Sequence, residues 1–420
     1  MNHAPGALRF IFFTVLLDVL GIGLIIPVAP RLVEALQGQG ESAAAYNVAI
    51  LGAIYAGMQF IFAPILGSLS DQIGRRPVIL ISLAGSGLDY IAAAFAPTLT
   101  WLFIARAING ISGANITAAS AYIADVTSPE KRAAGFGMLG AAFGLGFVIG
   151  PLMGGVLGEF DLRWPFFAAG GLSLINALYG FFVLPESLRR EHRRPFSIAR
   201  ANPVGSLRNL GRYPIVRGLA IVLFLANTAQ FGLHTTWVLY TKHRYQWSTR
   251  DVGLSLFAVG ISAAVVQGLL ARKIIPAIGE RTAVLFGLGV GVAAYLGYGL
   301  ANQGWMLIAI LLAGSIGGIF QPASQSLVTR SVPPDEQGGI QGAITSLSCL
   351  AGILGPAIGG SLFGYFVSDS SPVYLPGASY FASSLLCLAA LGTAIVIFRR
   401  GGTAGATVGT TVGQKDSLSP

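Results

Sequence analysis

Apolar runs of some twenty residues, separated by short polar stretches, recur from one end of the chain to the other. A helix needs about 20 mostly apolar residues to cross the hydrocarbon core of a bilayer. Inside that core every backbone N–H and C=O must be paired within its own segment, which selects helices. Twelve runs meet the length: residues 8–29, 46–66, 77–97, 99–124, 134–158, 164–184, 215–240, 251–271, 281–301, 304–327, 338–365 and 375–398. No small-residue cleavage site follows the first run, so it is expected to be retained as the first helix. The longest polar connection, about 185–214, is expected to be a cytoplasmic linker between bundles 1–184 and 215–398. The Gly-, Thr- and Ser-rich residues 399–420 are expected to form a disordered cytoplasmic tail.

The two halves repeat. Gly150-Pro151…Gly154-Gly155 recurs 205 residues later as Gly355-Pro356…Gly359-Gly360. At the same offset Ile73-Gly74 falls on Ile278-Gly279, and Ser128-Pro129-Glu130 on Pro333-Pro334-Asp335. The expected fold is an all-α integral membrane protein with twelve transmembrane helices in two pseudo-symmetric six-helix bundles. Paired repeats facing each other across a cavity are the plan of many secondary transporters.

Composition narrows the picture. Of 420 residues, 54% are hydrophobic and 10% charged, and the mean hydropathy is +0.70. A soluble domain carries about 25% charged residues, so this composition fits a soluble globular protein poorly. The net charge of +9 sits in short connections, where it sets topology rather than binding nucleic acid. Arg75, Arg76, Lys131, Arg132, the cluster from Arg189 to Arg217, Arg272, Lys273, Arg281, Arg330, Arg399 and Arg400 share one side, with both termini. Only Arg31, Arg163, Lys242, Arg244 and Arg250 fall on the other. Both termini are therefore expected in the cytoplasm.

Cys349 and Cys387 offer neither a disulfide framework nor metal-ligand spacing, and no cofactor is expected. No phosphate-binding Gly-x-x-x-x-Gly-Lys motif exists. The four histidines are scattered, three of them (His3, His192 and His243) in tails or loops, which argues against an enzyme.

The charged stretch from Gly67 to Pro77, with Asp71, Arg75 and Arg76, cannot lie in lipid and reads as a loop with turns at Gly67 and Gly74. It resembles the signature loop of the major facilitator superfamily, Gly-x-x-x-Asp-x-x-Gly-Arg-Arg. Arg106 with Gly110 resembles that superfamily's helix-4 motif. Gly146, Gly150, Pro151, Gly154 and Gly155 resemble the helix-5 motif of its drug:proton antiporter branch. Within the branch, tetracycline-efflux proteins are similar at Leu17-Asp18-Val19-Leu20-Gly21 and onward to Val28, at Ser86-Gly87-Leu88-Asp89-Tyr90, at Trp237-Val238-Leu239-Tyr240 and at Gln337-Gly338-Gly339. The likeness runs from about residue 8 to 398. Two departures stand out: the exporters' helix-9 aspartate is Gly291 here, and their helix-8 histidine is Ala263.

Asp18 lies about 15 Å into the first span and Asp89 is similarly deep in the third. A carboxylate there costs about 2.5–3.5 kcal/mol on insertion scales, so each is read as functional, loading and releasing a proton. Arg106, within the fourth span, cannot release its proton and would instead bias a neighbouring acid. The resemblance implies a second group, Asp71, Arg75 and Asp125, forming a latch against the start of helix 11 near Gln337. Polar residues in apolar spans are candidates for the substrate cavity: Gln59, Asn115, Gln230, His234, Gln321 and Gln325 foremost. The expected activity is proton-coupled export of a hydrophobic, drug-like compound, tetracycline or related, by a monomer in a bacterial inner membrane. Transport of an endogenous metabolite is the alternative.

Overall fold

The computed structural model describes residues 7–38, 40–113, 116–127, 132–188, 190–193, 195–196, 202, 209–333 and 337–406. Among the described residues there is no strand, and twelve spans follow in order. They are α1 (Ala7–Ile25, continued by a short helix Ala29–Gln37), α2 (Gly40–Ile73), α3 (Arg75–Ala94) and α4 (Leu99–Ser112 and Ile116–Val126). Next come α5 (Arg132–Phe160), α6 (Trp164–Val183), α7 (Pro214–Tyr245) and α8 (Thr249–Val265, a π-helical turn Val266–Leu270, and Ala271–Ile278). Last are α9 (Glu280–Leu300), α10 (Gly304–Gly314, a 3-10 stretch Ser315–Ile319, and Phe320–Arg330), α11 (Gln337–Val367) and α12 (Ala378–Ala406). Eleven of the twelve are long and apolar enough to cross a membrane as described; the other, α4, is described in two pieces on either side of residues 114–115. The chain is an integral membrane protein.

Several helices outrun the apolar stretches that predict them. The 34 residues of α2 span about 51 Å, against a hydrocarbon core of about 30 Å. Helical pairing continues through the polar flanks until a residue stops it. Here that residue is Gly74, at φ 114°, and α3 begins at the next position. The loop expected over residues 67–76 is therefore one residue long, and Gly67 sits inside α2, not at a turn. Gly279, at φ 81°, divides α8 from α9 in the same way. In α1 the reverse occurs: the expected 8–29 helix breaks after Ile25, near Pro27, and restarts as an amphipathic segment with Leu32 and Val33 buried. At the far C-terminus α12 passes its expected end and stays helical to Ala406, with no proline to interrupt it; residues 407–420 lie outside the described residues.

α1 packs on α5 and α6, α2 on α4, and α3 on α6; the second half repeats this with α7 on α11 and α12, and α9 on α12. The two bundles meet along two seams, α2 with α11 and α5 with α8. Ile81, Leu88, Ile175, Phe182 and Leu385 are more than 60% exposed, an apolar exterior that suits lipid.

Candidate functional site

The helix-5 glycines fix the first bundle. A methyl group added to Gly150 would lie 2.7 Å from the Gly23 α-carbon, and one on Gly154 only 2.0 Å from the Leu24 carbonyl oxygen. Gly146 presses on Val19. These three let the backbones of α5 and α1 touch. Gly155 points elsewhere, with Gly253 of α8 at 2.9 Å from its added methyl. The second half copies this arrangement: Gly355 and Gly359 press on α7 at Gly232, while Gly360 meets Ala45 and Ala49 of α2. Each motif thus welds its own bundle and supplies one residue to a seam.

Along both seams the contacts stop part-way. They run from Gly364 against Ser42 to Gly352 against Ala56, and from Gly158 against Thr249 to Gly260 against Val148. Nothing stands within 4 Å of a methyl added at Gly67, Gly140 or Gly144. Among the described residues, the glycine contacts between the halves gather towards the end bearing Glu41 and Lys242 (the far end) and cease towards the end bearing Gly74 and Gly279 (the linker end).

At mid-depth of the first bundle the structure groups the residues singled out by their charge. Asp18 and Asp89 are both 6% exposed. Gly110 and Gly113 let α4 come against Tyr55 of α2, where a methyl on Gly110 would lie 2.7 Å from the Tyr55 carbonyl oxygen. The Arg106 guanidinium carbon stands 4.3 Å from the centroid of the Tyr55 ring, a cation–π contact. Its Nη1 is 3.5 Å from Asn109 Oδ1. Asp18 and Arg106 both neighbour Tyr55 and Tyr90, and Arg106 neighbours Asp89. No ion pair within 4 Å joins Arg106 to Asp89 among the described residues, and Asp89 Oδ1 and Asn109 Nδ2 are buried without hydrogen-bond partners. Such orphaned groups are costly unless a proton, water or ligand meets them. Gln59 is committed: its Nε2 donates to Tyr55 hydroxyl at 2.9 Å and to Gly113 O at 3.3 Å.

At the linker end Arg75 is buried and bonded through Nε and Nη1. Nε lies 3.2 Å from Asp125 Oδ2, and Nη1 reaches Asp71 at 2.5 Å and Ser70 Oγ at 2.6 Å. Its backbone N–H donates to Glu186 Oε1 at 2.9 Å, so the carboxylate caps the start of α3. Glu186 is a site residue that sequence reasoning missed; its only signal was an acid placed just after the sixth span. A methyl on Gly74 would strike Glu186 Oε2 at 2.2 Å. These partners all belong to the first half or the start of the linker. The side chains of residues 337–339, at the start of α11, are not among those described. The second half holds a copy with reversed signs: Glu280 lies 3.2 Å from Arg330 and accepts from Ser326 Oγ at 2.6 Å.

In the second bundle Gln230 Nε2 is 2.8 Å from His234 Nε2, and Tyr295 hydroxyl donates to Gln230 Oε1 at 2.8 Å. Gln230 and His234 are exposed, as are Gln321 and Gln325, one turn apart on α10. Asn115 lies outside the described residues. Gly291 faces Cys387 of α12, 3.6 Å from its added methyl. Among the described residues the acids of the second half, Asp251, Glu280 and Asp369, sit at helix starts or in a connection, none of them at depth. Asp89 and Arg106 have Ala294 and Leu311 as their counterparts 205 residues later.

Two six-helix repeats joined along two seams have the plan of a secondary transporter. The Major Facilitator Superfamily model matches residues 11–356, and the chain belongs to that family; it is a transporter and not an enzyme. It is 39% identical to the class C tetracycline resistance protein of Escherichia coli, over 92% of this chain and 96% of that one. The crystal structure of the human organic anion transporter MFSD10 matches with a TM-score of 0.70 and 27% identity, covering 92% of this chain and 98% of that one. A bacterial homologue of the lysosomal transporter Spinster, inward-facing and occupied, gives a TM-score of 0.74 at 14% identity over 95% and 97% of the two chains.

Proposed function

We propose that this protein is a proton-coupled antiporter that exports a hydrophobic, drug-like compound, of the tetracycline class or related to it. It acts as a monomer in a bacterial inner membrane, with both termini in the cytoplasm. The observation that carries the reading is the pair of deep acids, Asp18 and Asp89, grouped with Arg106 in one bundle of a protein related to tetracycline resistance proteins. A proton arriving from outside neutralises one of these acids, the halves rock, and the proton leaves inside as substrate binds. Arg106, always charged, favours the ionised acid and so favours proton release. The linker end is the face that takes substrate from the cytoplasm, with Gln230, His234, Gln321 and Gln325 as cavity wall. Asp71, Arg75 and Asp125 serve as the latch that opens and closes that face.

The test is proton-gradient-dependent uptake into inverted vesicles, screening tetracyclines beside quinolones and lipophilic cations. Uptake that Asp18→Asn leaves coupled to the gradient rules out the proton site. A second reading, transport of an endogenous metabolite, is favoured by Gly291 standing where the exporters carry an acid and by the likeness to a protein described as an organic anion transporter. Uptake of an organic anion such as p-aminohippurate, with no drug transported, selects that reading.

A further inference from the structure

At the far end two acids of the first bundle meet two bases of the second. Glu34 lies on the helix that continues α1, and Glu41 in the first turn of α2. Lys242 and His243 lie in the last turn of α7. Lys242 Nζ donates to both oxygens of Glu34, at 2.6 and 2.7 Å, and stands 3.4 Å from Glu41 Oε1. The other Glu41 oxygen meets His243 Nδ1, and His243 Nε2 is 2.6 Å from the Tyr374 hydroxyl in the α11–α12 connection. Beside them Arg31 donates to the Trp247 carbonyl, and Ser42 Oγ donates to Gly364 O at 2.6 Å. An acid in a helix's first turn and bases in a helix's last turn are each favoured by the helix dipoles.

Two further features separate this cluster from ordinary surface pairing. Among the described residues every ion pair that joins the two bundles belongs to it. The seams beneath it are built from glycine, alanine and proline contacts, which give closeness but little directional bonding. The four side chains keep 20–29% of their exposure. They are sheltered enough to attract one another through less water than a surface pair, yet near enough to solvent to be rehydrated when they part. A fully buried pair would pay a large desolvation penalty each time the end closed.

We propose that Glu34, Glu41, Lys242 and His243 form the clasp of the far gate. This ion-pair cluster comes apart whenever the far end opens, and its strength sets how much of the protein rests with that end closed. The clasp rests on alternating access but not on the identity of the substrate or on proton coupling.

The test is a distance measurement. Spin labels at Thr100→Cys and Asn302→Cys, in a Cys349→Ser/Cys387→Ser background, report separation of the bundles at the far end by pulsed electron paramagnetic resonance in lipid nanodiscs. Lys242→Glu is expected to raise the ratio of long to short distances about fivefold, the factor expected for about 1 kcal/mol. Adding Glu34→Lys to Lys242→Glu is expected to reverse most of that rise. Should Lys242→Glu fail to give a monodisperse protein, Lys242→Gln and His243→Gln are each expected to produce a smaller rise. A distribution that stays unchanged in the folded variants overturns the clasp. Because the readout is a distance, a protein that exports no drug can still pass, so failure of the export reading and failure of the clasp are told apart.

Discussion

Arg75 and Glu280 hold the same place in the two halves of the molecule with opposite charge. Each is the first residue of a helix that follows a glycine of positive φ, and each pairs with a residue of the next span, Asp125 or Arg330, at 3.2 Å. Burial of their partners is where the two pairs differ: Arg75 and Glu280 are 10% and 17% exposed, but Asp125 is 24% exposed and Arg330 74%.

That difference predicts unequal consequences. Asp125→Asn leaves a buried guanidinium short of a charged partner and is expected to cost about 1–3 kcal/mol. Arg330→Gln removes an exposed partner and is expected to cost about 0–1 kcal/mol. Thermal unfolding in detergent, followed by tryptophan fluorescence, ranks the two; equal shifts would contradict the difference in burial.

The glycines of the signature loop are not equivalent. Gly74→Ala meets both a positive φ and the Glu186 carboxylate, and is expected to lower thermal stability by about 1–2 kcal/mol and to slow transport. Gly67→Ala projects into open space inside α2 and is expected to leave folding intact. A stability loss at Gly67 matching that at Gly74 would sink the assignment of the turn to one residue.

Within the helix-5 motif, Gly154→Ala is expected to abolish assembly, because the Leu24 carbonyl oxygen stands 2.0 Å from the added methyl and belongs to backbone that cannot move aside. Gly155→Ala pushes on Gly253 across the seam and is expected to spare folding while shifting the balance between open and closed far ends. Gly171→Ala, with nothing within 4 Å, is the control. Membrane expression and size-exclusion profiles of the three variants decide the matter.

Tyr55 gives Arg106 its seat. Tyr55→Phe keeps the ring and loses the bond to Gln59, whereas Tyr55→Leu loses the cation–π contact as well. The expected extra cost of the second substitution is about 0.5–2 kcal/mol. It should appear as weaker gradient-driven uptake in vesicles, and indistinguishable variants would mean that the ring does not hold Arg106.

The spans were legible because hydrocarbon imposes a length that a hydropathy pattern records directly. Helix ends were not, since outside the hydrocarbon nothing but a residue such as Gly74 stops the backbone pairing. The repeat was legible where glycines recur, at Gly150 and Gly355, because close backbone contact admits little else. Its charge-inverted member at Glu280 was hidden, because the contact survives an exchange of signs that a search for like residues passes over. Glu186 and the Glu34–Lys242 pair were hidden for a different reason. They join residues 111 and 208 positions apart, and nothing local in either segment marks the partner. Depth in an apolar span, together with the motifs around them, singled out Asp18, Asp89 and Arg106. Their common neighbour Tyr55 was not foreseen, because one tyrosine in an apolar span is unremarkable until the helices are assembled.

Glu186 and Leu210 mark where the covalent connection between the bundles is tied down, one at the α2–α3 turn and the other buried beside Val216, Leu219 and Val328. The strap between these anchors can reach about 75 Å if fully drawn out, more than twice the thickness of the hydrocarbon core. By length alone, a connection of that reach does not limit how far the halves swing. The amplitude of the stroke is therefore set by the glycine seams and by the charged ends, and the two bundles expressed as separate polypeptides should still find each other and work.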